Sequence, residues 1–169
     1  MVYGNGENME NFCKIGKLEK KHGYEVCRGE KQLGRLRYDL TKILPRGQTL
    51  GHYHAPNFPE LFEVLSGRAI FLTQRKSQTY AIEAKKREKA VILPGFSIRT
   101  INASGKNILI ISNWIDDRVK NNYNAFKNIQ KPIKLKPKKL PAKLKNLNFL
   151  NNPKKYKKIL TIKNLYNRI

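Results

Sequence analysis

Short runs of alternating apolar and polar residues, each ended by a turn signal, follow one another from residue 33 to residue 114. The first clear run is Leu36–Leu44, which ends at Pro45-Arg46-Gly47. Period-two alternation is typical of strands with one buried face, and Pro and Gly favour the turns between them. Further runs lie at 52–54, 61–65, 69–74, 79–83, 90–93, 97–102 and 107–114. About seven to nine strands at this spacing predict an all-β fold, a single small antiparallel barrel.

The two ends of the chain differ from this middle. Residues 1–32 are charged and punctuated by glycine, and their weak periodicity favours neither helix nor strand. Residues 118–169 contain four prolines, which favour extended backbone. Near the end, apolar residues at i, i+3, i+4 and i+7 from Ile162 predict a short helix. We therefore expect an N-terminal lead at 1–32, a barrel at 33–117 and a mostly extended tail at 118–169.

The charge of the chain is concentrated in that tail. Lys and Arg number 35 against 12 Asp and Glu, a formal net charge of +23, and such a field attracts polyanions. No acidic residue occurs after Asp117. The candidate RNA contacts are Tyr156 and the sixteen cationic residues of the tail: Arg118, Lys120, Lys127, Lys131, Lys134, Lys136, Lys138, Lys139, Lys143, Lys145, Lys154, Lys155, Lys157, Lys158, Lys163 and Arg168.

Lysines spaced along extended backbone can neutralise phosphates, and interleaved aromatic rings can stack on bases. The leading prediction is therefore an RNA-binding protein of the cytoplasm, associated with the ribosome or part of it. Its partners would be ribosomal or other structured RNA and neighbouring ribosomal proteins. The alternatives are a disordered solubilising tail and a basic helix lying on an anionic membrane surface.

Other functional classes lack their signals. The N-terminus has no secretory signal pattern, and no apolar stretch approaches the roughly 20 residues of a membrane span. Cys13 and Cys27 form no C-x-x-C pair, so we expect them to be reduced. A metal site made of Cys13, His22 and Cys27 is the alternative, although their spacing is not that of zinc ligands.

Candidate metal chemistry lies between residues 47 and 67. His52 and His54 are two residues apart on a predicted strand, so their side chains project to the same side. Glu60 begins the next apolar run and would face them inside the barrel. Two imidazoles and a carboxylate suit a divalent ion such as Fe, Mn, Ni or Zn. The alternative is an interior without metal, in which the histidines bond to each other or to Tyr38, Thr100 or Asn102.

These residues also resemble a known family. Thr49-Leu50-Gly51-His52-Tyr53-His54 and the segment Pro59–Gly67 resemble the first motif of the cupins, closest to that of the archaeal cupin-type phosphoglucose isomerases. Leu93–Asn102 is similar to the second motif, but Ile98 stands where the family has its fourth metal ligand, a histidine. The resemblance covers roughly residues 33–127.

The resemblance implies a cupin barrel and a metal-dependent aldose–ketose phosphate isomerase. Glu60 or a metal-bound water would then move the proton, Thr49 and Gly51 would help to seat the phosphate, and Tyr123 would close over the substrate. Many cupins dimerise, which makes a homodimer another expected partner. Because Ile98 lacks a donor atom, and asparagines replace the family's His and Asp before Tyr123, the sequence favours a barrel that has lost catalysis. An active isomerase is the alternative, and a structural metal in an RNA-bound protein is a third interpretation.

Overall fold

The computed structural model describes residues 12–123, 126 and 131–169, and most of them lie in β-strands. The strands, numbered in chain order, are β1 (Lys17–Lys21), β2 (Tyr24–Leu33), β3 (Leu36–Ile43), β4 (Tyr53–Ala55), β5 (Glu60–Ser66), β6 (Arg68–Arg75), β7 (Gln78–Lys85), β8 (Lys89–Ile92), β9 (Ser97–Asn102), β10 (Leu109–Asp116), β11 (Lys120–Asn122), β12 (Ile133–Pro137) and β13 (Tyr166–Arg168). One α-helix, α1, spans Ile162–Leu165.

The strands form two large sheets and one small one. The six-stranded sheet has the order β1-β2-β3-β10-β5-β8, and the five-stranded sheet has the order β13-β12-β7-β6-β9. Strands β4 and β11 pair separately. Among the described strands, the two large sheets face each other without closing into a continuous hydrogen-bonded barrel. The predicted all-β, cupin-like antiparallel fold is therefore confirmed.

The core lies between the two sheets because each contributes an apolar face. Val64, Phe71, Ile82 and Leu109, from both sheets, have no solvent exposure and belong to one cluster. Alternating strand residues supply this face, as the period-two pattern predicts. The turn between β5 and β6 is made by Gly67, whose φ of 91° suits a residue without a side chain.

The segment at 12–32, for which the sequence favours neither helix nor strand, supplies β1 and most of β2. The expectation of reduced cysteines is wrong for this structure. Cys13 and Cys27 form a disulfide, with their Cα atoms 5.3 Å apart. The fold places Cys13 beside the start of β1, which pairs with β2, and so brings it next to Cys27. His22 is exposed in the turn after β1, so the alternative site of two cysteines and this histidine is not formed.

The C-terminal extension packs against the barrel instead of leaving it. Strand β12 pairs in parallel with β7 at Ile133–Leu135, and β13 pairs with β12. Short 3-10 turns lie at Ala142–Leu144, Asn148–Leu150 and Pro153–Tyr156, and α1 confirms the predicted helix but ends at Leu165. Among the described residues, no helix has the length and apolar character needed to cross a bilayer.

Candidate metal centre

Three strands and one loop bring the predicted metal ligands together. His54 lies on β4, and Glu60 is the first residue of β5. His52 precedes β4 and pairs with Ile98 of β9 through an isolated bridge. The fold therefore joins His52, His54 and Glu60 at one point, as the sequence predicted.

The donor atoms of these three side chains lie within 4.8 Å of one another. The imidazole centroids of His52 and His54 are 5.2 Å apart, and Nε2 of His54 lies 3.1 Å from Oε2 of Glu60. That separation is within ion-pair distance when His54 is protonated. Neither of these two buried atoms has a hydrogen-bond partner among the described residues.

Backbone carbonyls set the orientation of both imidazoles. Nδ1 of His52 lies 3.3 Å from the Leu50 carbonyl oxygen, and Nδ1 of His54 lies 3.3 Å from that of Phe58. In the tautomer these contacts select, Nδ1 carries the proton and Nε2 keeps its lone pair. This arrangement is typical of metal-binding histidines, whose second nitrogen donates to a carbonyl or carboxylate. The partners are thus Leu50 and Phe58, and not Tyr38, Thr100 or Asn102.

The two imidazoles have opposite pKa shifts in the metal-free protein. Burial lowers the pKa of His52, and the negative charge of Glu60 offsets this only in part. Burial also lowers the pKa of His54, but the nearby Glu60 and the Phe58 carbonyl more than compensate, so its pKa is raised. Glu60 therefore acts electrostatically on both histidines.

The residues present fit a divalent metal ion. Two imidazole nitrogens and a carboxylate are the donor set that suits Fe(II), Mn(II) and related ions, with positions left for water or substrate. Donor atoms bound to one ion at about 2.1 Å lie roughly 3–4 Å apart, so only small movements separate this arrangement from a bound state. The unpartnered Nε2 of His54 and Oε2 of Glu60 are the observation that supports this fit.

Ile98 occupies the position next to the three donors. Its backbone N–H donates to the His52 carbonyl at 2.7 Å, and the His52 N–H donates back at 3.1 Å. Residues that exchange both bonds across an antiparallel pair project their side chains to the same face. Ile98 is 1% exposed and lines the same cavity as His52 and Glu60. An alkyl group therefore stands where a fourth ligand would be.

Two of the candidate ligands, His52 and Glu60, line a cavity of about 50 Å³, which is room for a few water molecules. One wall is apolar and includes Val26, Phe62, Ile98, Ile111 and Ile115. The rest is polar and contains side chains from β2, β3, β10 and β11: Tyr24, Arg28, Arg37, Thr41, Asn113 and Asn121.

The residues predicted to contact a substrate have different places. Thr49 lines the cavity, where its Oγ1 accepts a 2.9 Å hydrogen bond from the Thr100 N–H. Tyr123 also lines it, is 47% exposed and has its ring 5.8 Å from that of His52. Gly51 is buried, and a Cβ there would lie 2.5 Å from the Phe126 ring. Phe126 therefore covers Gly51, while Thr49 and Tyr123 face the site.

The cavity residues that sequence reasoning missed include Arg28 and Arg37. Both contact Asp39, which is fully buried. Because side chains alternate along a strand, the sequence shows which residues of β2 share a face, and likewise for β3. It does not show which of these faces is interior.

The cationic residues of the extension lie away from this cavity. All those that the structure describes are exposed, while Leu135, Leu144 and Phe149 from the same segment are buried in the core. Tyr156 is half-buried and packs against Phe149, and Lys127 lies outside the described residues. The extension is amphipathic, with an apolar face on the barrel and a solvated charged face.

Solved structures with this architecture include plant vicilins and an oxalate oxidase. The vicilin of tomato (Solanum lycopersicum) has a TM-score of 0.53 at 12% identity, over 65% of this chain and 34% of that one. The hazelnut (Corylus avellana) vicilin has a TM-score of 0.50 at 14% identity, over 64% and 34%. Recombinant oxalate oxidase in complex with glycolate has a TM-score of 0.54 at 16% identity, over 62% and 57%.

At these identities the likeness shows the fold alone, and this chain spans about a third to just over half of those chains. The comparison with curated protein sequences finds no significant match. Fold and site together define a cupin. Residues 18–131 match the model of the family described as Glucose-6-phosphate isomerase (GPI). Because that match covers well over half of the 169 residues, the chain belongs to this family.

The prediction of an RNA-binding, ribosome-associated protein is therefore wrong. The family match supports the alternative that the sequence offered, a sugar-phosphate isomerase, and nothing in the described structure indicates RNA binding. The physical reason is that the apolar residues between the lysines hold the extension on the barrel. Its exposed lysines, from Lys131 to Lys163, form an ordinary solvated face.

Proposed function

We propose that this protein is a metal-dependent isomerase that interconverts an aldose phosphate and a ketose phosphate, namely glucose 6-phosphate and fructose 6-phosphate. The observation that carries the proposal is that the donor atoms of His52, His54 and Glu60 lie within 4.8 Å of one another, beside a cavity that His52 and Glu60 line. Membership of the glucose-6-phosphate isomerase family supplies the substrate class.

His52, His54 and Glu60 would hold the metal ion, with Fe(II) and Mn(II) suited best by this donor set and Ni(II) or Zn(II) as other candidates. When bound, a divalent ion supplies Lewis-acid polarisation of the sugar oxygens at C1 and C2. The lack of a fourth protein ligand at Ile98 leaves a further position for water or substrate.

The reaction moves one proton between C2 and C1 of the open-chain sugar and another between the oxygens on those two carbons, and Glu60 is the best-placed group to carry the first. Its carboxylate has two oxygens, so one can bind the ion while the other accepts and returns the proton. Glu60 is 4% exposed, and the apolar side chains of Phe62 and Ile98 line the same cavity.

The substrate would enter past Tyr123. The cavity of about 50 Å³ holds only part of a hexose phosphate, so the remainder would extend toward this exposed residue. Tyr123 is held beside Asn121, whose amide donates a 3.3 Å hydrogen bond to the tyrosine oxygen. Thr49 also lines the cavity and would contact the sugar there.

The test is an isomerase assay in both directions on chelator-treated protein, alone and after adding Mn(II) or Fe(II). We expect turnover that depends on added metal and disappears in His54→Ala. His22→Ala is the matched control, because His22 is exposed in the turn after β1 and should leave the rate unchanged. Absence of turnover with every metal, or turnover that persists in His54→Ala, would refute the proposal.

A further inference from the structure

A groove lies between the C-terminal extension and the barrel. Its volume is about 520 Å³, within the range of roughly 300–1,000 Å³ that is usual for ligand-binding clefts. Leu61 of β5 and Lys89 of β8 line it from the barrel, and Pro137, Leu140 and Leu147 line it from the extension. Among the described residues, none lines both this groove and the metal cavity, so the groove is a separate site.

Five cationic side chains line this groove. Arg87 and Lys89 belong to the barrel, and Lys138, Lys139 and Lys145 belong to the extension. All of them are exposed. Positive charges that are crowded at one cleft raise the local concentration of anions. The groove therefore favours a negatively charged occupant.

The cations Arg87, Lys139 and Lys145 have no counter-charge in the described part of the chain. Their side chains form no ion pair and no hydrogen bond there. The carboxylate of Glu88 lines the groove, but it accepts the Lys85 N–H at 2.9 Å. Free ammonium and guanidinium donors are the groups that form charged hydrogen bonds with a carboxylate. An anionic ligand can therefore bind here without displacing an existing pair.

The groove also has an apolar part. Leu61 is 4% exposed, and Pro137, Leu140 and Leu147 are half-buried. Leu147 has a φ of 68°, a left-handed conformation that residues with side chains rarely adopt, and backbone strain of this kind is concentrated at functional sites. Among the described residues no aromatic ring lines the groove, so it lacks the stacking faces of single-stranded nucleic-acid sites.

The free edge of a strand borders the groove as well. Strand β8 is the last strand of the six-stranded sheet and pairs with β5. The Val64 N–H donates to the Glu88 carbonyl at 3.1 Å, so the next residue, Lys89, directs its own N–H and C=O away from β5. An extended peptide can pair with an edge of this kind, and pockets beside the edge then select its side chains.

We propose that this groove binds an acidic, extended segment of a partner protein, in which carboxylate side chains alternate with apolar ones. The carboxylates pair with Arg87, Lys139 and Lys145, and the apolar side chains contact Leu140 and Leu147. Alternation along an extended backbone supplies both kinds of contact. Repulsion by the same cations rejects basic segments, which gives the groove its specificity. This interaction does not depend on the isomerase activity.

The experiment measures binding of a short fluorescent peptide, capped at both ends, in which glutamate and leucine alternate. Fluorescence polarisation at about 0.15 M salt limits attraction by distant charges. We expect the wild type to bind this peptide at least about tenfold more tightly than the same peptide with glutamine for glutamate, because the latter forms no charged hydrogen bonds. A variant with both Lys139→Gln and Lys145→Gln should bind the glutamate peptide about tenfold more weakly or worse.

Lys154→Gln combined with Lys157→Gln is the matched control. These two lysines are exposed in the same extension and do not line the groove, and their replacement changes the net charge equally. The affinity of this variant should stay within about twofold of the wild type. Both double variants replace exposed side chains, so we expect both to melt near the wild-type temperature.

A loss of affinity confined to the Lys139 and Lys145 variant would support the proposal. An equal loss in the two double variants would show that net charge alone attracts the peptide, and would overturn it. So would equal binding of the glutamate and glutamine peptides, or no binding by the wild type. Oligouridine of the same length is the last probe, and tighter binding of it than of the peptide, through the same two lysines, would make the groove a nucleic-acid site and refute the proposal.

Discussion

His52 and Ile98 exchange both of their backbone hydrogen bonds, at 3.1 and 2.7 Å, and thereby place an imidazole and an alkyl group side by side in the cavity. The pair fixes the direction of the His52 side chain and defines the position of a fourth ligand in the same step. Because His54 and Glu60 approach from other elements, the three donors surround one point that Ile98 borders without contributing to it. This geometry explains how a ligand set can be one donor short and still be assembled.

The first prediction follows from that pair. Ile98→His should raise the affinity for Mn(II) more than about tenfold, because even the hydrogen-bond partners of metal ligands change affinity by about 10- to 100-fold. The new imidazole would stand beside that of His52, on the same face. Competition titration with a chromophoric chelator measures the change.

Ile101→His is the control for Ile98→His. Ile101 lies three residues further along β9 and faces the other side of the strand, so an imidazole there should leave the affinity unchanged. Equal gains in the two variants would show that the added histidine binds metal elsewhere.

The site was predictable from sequence to the extent that its geometry is local. Period-two alternation places His52 and His54 on one face, and Glu60 follows after one turn, so these three could be grouped without a structure. Arg28 and Arg37 could not, because antiparallel pairing across a register shift determines that they meet in the cavity. Contacts of that kind depend on which face of each strand is buried, which local patterns leave open.

The second prediction concerns Glu30, which accepts hydrogen bonds from the backbone N–H groups of Lys14, Ile15 and Gly16. Partial burial raises the pKa of Glu30, but these donors outweigh it and leave the pKa lowered. A depressed folded-state pKa contributes stability that is present above the unfolded value, about 4.5, and is lost as the pH falls through the folded value. Glu30→Gln should remove this pH-dependent contribution to the free energy of unfolding.

Thermal melts from pH 3 to 7 test the prediction for Glu30→Gln. We expect a loss of about 1 kcal/mol or less at pH 7, since the site is partly exposed, and a smaller loss at pH 3. Glu83→Gln is the control, because it removes only a 3.9 Å ion pair with the exposed Lys134. A destabilisation by Glu30→Gln that is the same at both pH values would contradict the proposed linkage.

The third prediction tests the docking of the C-terminal extension. Phe149 has no solvent exposure and belongs to the same core as Phe71 and Val64. Phe149→Ala should lower the free energy of unfolding by about 3–5 kcal/mol, the usual result of emptying a buried aromatic site. Urea denaturation measures it.

Lys154→Ala serves as the control for Phe149→Ala, because an exposed lysine in the same segment should change stability by less than about 0.5 kcal/mol. A Phe149→Ala variant as stable as the wild type would show that the extension is not part of the folded core.

The extension also shows why composition misled the sequence analysis. Its lysines and prolines dominate the count, whereas Leu135, Leu144 and Leu150 lie at irregular spacings that match neither a helix nor a strand. Leu135 is buried because β12 pairs with β7, and the burial of Leu144 and Leu150 depends on 3-10 turns that follow the barrel surface. The predicted helix from Ile162 ends at Leu165 because Tyr166–Arg168 pairs with β12, and this tertiary pairing replaces the last turn of a marginal helix.

The fourth prediction concerns Tyr166, which is 4% exposed and donates its hydroxyl hydrogen to the Val91 carbonyl. Burial raises the pKa of Tyr166, and the Val91 hydrogen bond offsets this only in part. A raised folded-state pKa gives stability that is complete below the unfolded value of about 10 and is lost as the pH rises above it, because the unfolded chain then releases the proton first.

Tyr166→Phe should therefore lower the free energy of unfolding by about 1 kcal/mol at pH 7, and by less above pH 10. Urea denaturation at pH 7 and pH 11 measures both effects, with Tyr156→Phe as the control at a half-buried ring. If the cost of Tyr166→Phe is as large at pH 11 as at pH 7, the buried hydroxyl does not contribute to the alkaline loss of stability.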